Sequence, residues 1–189
     1  MDDLYYNTYR IQSSRYPGYN YASEGFYFVT WCVKEMTCVL SKIVNDEVKL
    51  FSMGSIVEEE ILKTEKVRRG VLIDSHVIMP NHVHCIFHIA CRDAPLGRLE
   101  STEREENENT PLQKEDAPTA RLYRSSIGSI VNQIKSQSTK RICQSHDNAF
   151  QWQSRFYDHI IRNDDDLEKH RLYIGINSVK WPQDEYFIV

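Results

Sequence analysis

Apolar and polar positions along the chain change period several times, and each change marks an element. Phe26 to Val33 (FYFVTWCV) is dense in aromatic and β-branched residues and predicts a strand. Val48 to Ser52 predicts a short second strand. From Gly54 to Val67 the period lengthens: Val57, Ile61 and Leu62 supply an apolar stripe and predict a helix. Val71 to Met79 and His82 to Ala90 predict two strands, broken at Pro80-Asn81, and hence an antiparallel hairpin. Ile127, Ile130, Val131, Ile134 and Ile142 place a helix over Ser125 to Cys143. Phe150 to Ile161 predicts a further strand. Asn163 is a good N-cap, and three aspartates follow in the first turn, where acids suit the positive end of a helix. That last helix runs to about Asn177. Residues 1–25 read as an extended arm with a turn at Pro17-Gly18. Few helices among hairpin-paired strands predict an α+β fold, an antiparallel sheet with helices on one face.

Composition narrows the class. With 189 residues, 41% hydrophobic and 11% aromatic, the chain suits a single domain over residues 1–189 with a real core. No apolar run approaches the ~18 residues of a membrane span. The N-terminus is acidic and aromatic, so no signal peptide is expected. Five cysteines, an odd number without a CxxC pair, fit free thiols in a reducing cytoplasm.

The net charge of −4 conceals an uneven distribution. Arg92 to Asp116 holds eight acids against four bases, and the polar stretch Arg92 to Thr119 also holds three prolines. It reads as a flexible acidic loop. Ala117 to Cys143 holds five bases and no acid: Arg121, Arg124, Lys135, Lys140 and Arg141. Such a segment permits contact with a polyanion.

Two groups of residues offer chemistry. His82 and His84 in VIMPNHVH stand two apart on a predicted strand, so both imidazoles leave one face. That spacing can serve a divalent metal, but on spacing alone a packed histidine pair is the default. Ile86 stands where a histidine-triad hydrolase would have its third histidine, and Cys85 points to the other face. On the last helix, Asp166, His170, Tyr173 and Asn177 fall within about 60° of one another at 100° per residue. Leu167 and Ile174 form the adjacent core-facing stripe.

Together these segments resemble the REP-associated tyrosine transposases, small single-domain enzymes of the HUH type. MPNHVH (Met79 to His84) is similar to the HUH motif. RYPGYNYASEGFYFVTWCVKE (Arg15 to Glu35) is similar to the first strand and its lead-in, and WQSRFYDHIIRN (Trp152 to Asn163) to the stretch before the last helix. LYIGINSVKW (Leu172 to Trp181) is similar to a Tyr-Ile-x-x-Asn-Pro-Val-Lys motif. The resemblance spans nearly the whole chain except the acidic loop, which has no counterpart, and Ser178 replaces the usual proline.

The resemblance implies a ferredoxin-like sheet and a metal-dependent single-stranded DNA endonuclease and strand transferase. His82, His84 and Asn177 match the metal ligands and Tyr173 the nucleophile, with Tyr157 a lesser candidate. The phenol would form a 5′-phosphotyrosine and free a 3′-OH, conserving bond energy without ATP. Mg²⁺ or Mn²⁺ is implied, the imidazoles favouring Mn²⁺. His159 or His170 could assist proton transfer. The partner would be single-stranded DNA with foldback hairpins, gripped by the five bases of the basic segment. Arg10 and Arg15, with Tyr16, Tyr19 and Tyr21, suit contacts from the arm. Monomer and homodimer both remain open, because the long connection between His84 and Tyr173 allows the last helix to exchange between chains. The implied location is the cytoplasm, at the nucleoid. Two rival readings stand beside this one: a domesticated hairpin-binding protein without cleavage activity, and an unrelated metal-dependent phosphoesterase that would not need Tyr173.

Overall fold

The computed structural model describes residues 4–5, 8–9, 19–90, 126–145 and 149–187. Arg10, Arg15, Tyr16, Arg121, Arg124 and the acidic stretch 92–119 lie outside the described residues. Two short strands, β1 (Leu4–Tyr5) and β2 (Thr8–Tyr9), pair with each other. The main frame then begins with β3 (Gly25–Cys32). A hairpin of β4 (Ser41–Val44) and β5 (Glu47–Leu50) follows, turning through Asn45 and Asp46. Both turn residues have positive φ, 51° and 62°, as a two-residue hairpin turn of right-handed strands demands. Next come α1 (Ser52–Val67), β6 (Val71–Ile78), β7 (His82–Ile89), α2 (Ile127–Ser145), β8 (Tyr157–Ile161) and α3 (Asp164–Ile176).

Strands β3, β6, β7 and β8 form one antiparallel sheet in the order β6-β7-β3-β8. Helices α1 and α2 bridge its strands, and the β-α-β-β-α-β sequence is the ferredoxin-like arrangement. The fold class is therefore the expected α+β antiparallel sheet.

Strand alternation divides the sheet into two faces. Tyr27, Val29 and Trp31 of β3, with Val83, Cys85 and Phe87 of β7, point into the main core. Val57 and Ile61 of α1 and Ile130, Val131 and Ile134 of α2 cover that face. The opposite face carries Phe28, Ile86 and Ile161, and onto it packs α3 through Leu167 and Ile174. Two helices thus lie on one face as expected, and the third takes the other. The alternation forces this: the histidines and Phe28 share a face that needs its own cover.

Polar clips fix the helices. The buried Arg68, at the end of α1, donates to Gln133 (2.8 Å) and to the Ser129 hydroxyl (3.0 Å) and carbonyl (2.9 Å) of α2. Arg141 pairs with Glu59 and Glu60 across the same two helices. On the other face, the register of β6 shifts between Ile73 and Ser75, and Asp74 at that irregularity takes the Arg171 guanidinium of α3 through both oxygens. The strand expected over Phe150 to Ile161 forms only from Tyr157. Phe150 and Trp152 do enter the core, but Trp152 makes a single bridge to Val33. The carbonyls of Gln153 and Arg155 accept from the Lys135 ammonium rather than from a neighbouring strand.

Gly54 sits where α1 passes the backbone of Leu40, and a Cβ there would overlap the Leu40 carbonyl. Backbone cannot swing aside as a side chain can. Gly54→Ala is expected to lower unfolding free energy by about 2 kcal/mol through overpacking, read as a lower denaturant midpoint. An unchanged midpoint would contradict this close approach.

Candidate active site

His82 and His84 project from β7 into the face covered by α3, and both are fully buried. Their cross-strand partners on β3 are Cys32 and Thr30. A chain of hydrogen bonds sets the first imidazole. The Tyr186 carbonyl can only accept, so it fixes the Asn81 amide nitrogen as its donor at 2.8 Å. The Asn81 oxygen therefore faces His82 Nδ1 at 2.8 Å and receives its proton. His82 Nε2 is left as a bare lone pair. His84 Nδ1 bonds the Thr30 hydroxyl at 2.7 Å. The two Nε2 atoms face each other 3.0 Å apart. Burial pushes both imidazoles toward the neutral form: His82 down to about 2, helped by the neighbouring His84 charge, and His84 down to about 3. Neutral imidazole is the form that ligates metal.

Helix α3 carries Tyr173 and ends at Asn177, the other two candidates. Asn163 caps it, its side chain accepting from Asp166 N at 2.8 Å. The Tyr173 hydroxyl reaches to 3.4 Å from His84 Nε2. Burial, then the Asp184 charge, push the phenol above its usual range, partly offset by a hydrogen bond with Asn177. Asn177 is buried, and its Nδ2 donates to Asp184 Oδ2 at 3.3 Å. Its Oδ1 is buried with no hydrogen-bond partner among the described residues. A buried amide oxygen costs stability unless a donor or a cation satisfies it. The donor set, two borderline nitrogens and a hard oxygen, fits a divalent ion. One chain assembles all four residues.

Sequence patterning missed the closing segment. After α3 a 3-10 turn, Trp181–Gln183, leads to Asp184, whose carboxylate lies within 4.8 Å of the ligand nitrogens of both histidines. Burial raises its pKa, against the hydrogen bond from Tyr186 N. The Tyr186 ring covers His82 at 4.7 Å and His84 at 6.3 Å. The only sequence signal was an acid-aromatic run, WPQDEYF, following the tyrosine helix.

The helical face anticipated for α3 divides in two. Tyr173 meets His84, and Asn177 bonds Asp184, which lies against both histidines. Asp166 instead accepts from His159 Nε2 at 2.9 Å, and His170 Nδ1 donates to the Asp166 carbonyl at 2.8 Å. The His159 and His170 rings stack at 4.8 Å, tying the start of α3 to β8. Of the basic candidates, Lys135 is buried and spent on backbone carbonyls, and Arg141 is ion-paired within the fold. Lys140 is exposed.

No protein-family model matches the chain. An uncharacterized protein of Haemophilus influenzae is 33% identical over 178 residues, covering 94% of this chain and 93% of that protein. Among solved structures, a REP-associated tyrosine transposase bound to a REP hairpin aligns with a TM-score of 0.53 over 89% of this chain and 74% of that one. Its sequence identity is 24%, so the likeness is one of fold. No helix among the described residues is long and apolar enough to cross a membrane.

Metal-free protein offers a test of the buried pair. In the unfolded chain each imidazole titrates near ~6.5. Below that pH the unfolded state takes up protons that the native histidines refuse. Their stability contribution is therefore full above about 6.5 and is lost as pH falls toward about 3. Each refused proton adds about 1.4 kcal/mol per pH unit to the slope. Between pH 7 and 5, the wild-type denaturant midpoint is expected to fall more steeply than that of a His82→Gln, His84→Gln double variant. Equal slopes would contradict neutral burial.

Proposed function

From a chain that belongs to the same family as the Haemophilus influenzae protein and has the fold of the REP-associated tyrosine transposase, we infer a transposase-type enzyme that cuts and rejoins single-stranded DNA carrying foldback hairpins. The observation that carries this reading is the approach of the Tyr173 hydroxyl to the buried histidine pair, 3.4 Å from His84 Nε2, beside the orphaned Asn177 oxygen.

In this reading Tyr173 is the nucleophile, and His82, His84 and Asn177 hold a divalent ion, Mg²⁺ or Mn²⁺. When bound, the ion supplies Lewis-acid stabilisation of the scissile phosphate. The residues of the chain do the rest. Tyr173 is carried on a capped helix whose Arg171 is clamped to Asp74, so its oxygen has a defined position for in-line attack. The new bond joins Tyr173 Oη to phosphorus, and the bond to the 3′-oxygen breaks, which releases a 3′-OH and leaves a 5′-phosphotyrosine. Attack by a 3′-OH on that ester restores the phenol. Tyr173 must lose a proton to attack, and its burial near Asp184 opposes this until positive charge enters the site. Asp184, within reach of both histidines, is a further ligand or proton acceptor in the same pocket. Nothing beyond the resemblance argues for a non-cutting binding protein, and the intact set of four residues favours the enzyme.

The test is a covalent adduct. Protein is mixed with labelled single-stranded hairpin DNA from the flanks of its own gene and Mn²⁺, then run on a denaturing gel. A shifted band is expected, and it is expected to fall below detection in Tyr173→Phe or with chelator. DNA hydrolysis surviving in Tyr173→Phe would favour the metal phosphoesterase. Hairpin binding in a native gel with no adduct would favour the non-cutting protein.

A further inference from the structure

The cavity at Tyr173 extends away from the histidine pair, toward the β8 edge of the sheet, and encloses about 320 Å³. That is the size of a small-ligand site. Strand register places its far wall. Thr30 stands opposite His84 in the β3–β7 ladder and opposite Tyr157 in the β3–β8 ladder. Residues directly opposite share a face, so Tyr157 lies on the histidine face, two strands over, on the order of 10 Å away. Tyr157 is half-exposed and belongs to neither core cluster. It is thus an aromatic ring held at the cavity without a packing role. Tyr186 and Glu185 of the closing segment line the same cavity. Lys169, exposed and one helical turn before Tyr173, stands at its rim.

Aromatic rings, one carboxylate and one ammonium are the chemistry of a nucleotide site. Rings stack on unpaired bases, a carboxylate accepts from an exocyclic amino group, and a lysine neutralises phosphate. We propose that this cavity seats one unpaired nucleotide beside the scissile phosphate, its base stacked on Tyr157, its amino group received by Glu185 and its outer phosphate met by Lys169. The inference rests on the DNA reading above and adds a specificity to it. Adenine, cytosine and guanine carry an exocyclic amine. Thymine does not, and its N3–H lies between two carbonyl oxygens that would face the Glu185 carboxylate. A base that offers an amine is therefore selected over thymine at this one position.

The test uses uncut DNA, so it does not depend on cleavage. In the full-length Tyr173→Phe protein, 2-aminopurine is placed in turn at each unpaired position of hairpin DNA from the flanks of its own gene. Fluorescence quenching on binding is expected at one position. It is expected to disappear, with about tenfold weaker binding, when Tyr157→Ala is added, and to persist with Tyr157→Phe. Thymine at that position is expected to bind about tenfold more weakly than cytosine, and Glu185→Gln to remove the difference. Hairpin binding without quenching at any position would overturn the proposal, as would quenching indifferent to Tyr157→Ala. A wild-type protein that shows the quenching but forms no covalent adduct would sink the cleavage reading and leave the nucleotide pocket standing. Absence of any hairpin binding would sink both.

Discussion

Two neutral imidazoles buried nose to nose, 3.0 Å apart, set the terms for everything around them. His82 cannot donate through Nε2, because Asn81 holds its proton on the other nitrogen. Facing that lone pair, His84 Nε2 either shares a proton with it or joins it on a cation, and so close an arrangement survives only where the surroundings over-determine it. Here they do. Asn81 is held by the Tyr186 carbonyl, Thr30 holds His84, and both histidines are locked in the central pair of strands. The two imidazoles are thus held in place by the fold itself, and a divalent ion would need little reorganisation to bind there.

The sheet separates stability from chemistry. One face buries Tyr27, Trp31, Phe87 and the stripes of α1 and α2, a conventional apolar core. The other has a small cluster around Phe28, Ile86, Leu167 and Ile174, which seats α3 and presents Tyr173 to His84 of β7. Charged clips replace part of the missing apolar contact, Arg171 with Asp74 on one side of α3 and His159 with Asp166 at its start. The same economy explains why basic residues of α2 are poor guides to a polyanion surface. Lys135 spends its ammonium on the carbonyls of an irregular segment, and Arg141 joins α1 to α2.

Much of this was legible in the chain because it rests on local period. The i, i+2 histidines predicted one shared face, and the stepping of Tyr173 and Asn177 predicted a second. Asn163 and its three following acids marked the start of α3 correctly. The parts that escaped depend on long-range pairing. The β4–β5 hairpin is short and half-polar, so its pattern is weak, and only Val48 to Ser52 was visible as a strand. Phe150 and Trp152 have strand-like composition, yet a lysine from another helix occupies their neighbours' carbonyls. Asp184 and Tyr186 follow a helix end with no periodicity of their own. Their place over the histidines is set by the Asn81 side chain, more than a hundred residues earlier.

The measurement closest to the centre of this account is a titration of metal-free protein with Mn²⁺, followed by electron paramagnetic resonance of the free ion. The account predicts one bound Mn²⁺ per chain, lost in a His84→Gln variant and at least tenfold weaker in Asn177→Ala. Binding unchanged in both variants, or no binding by a folded wild-type chain at neutral pH, would contradict it.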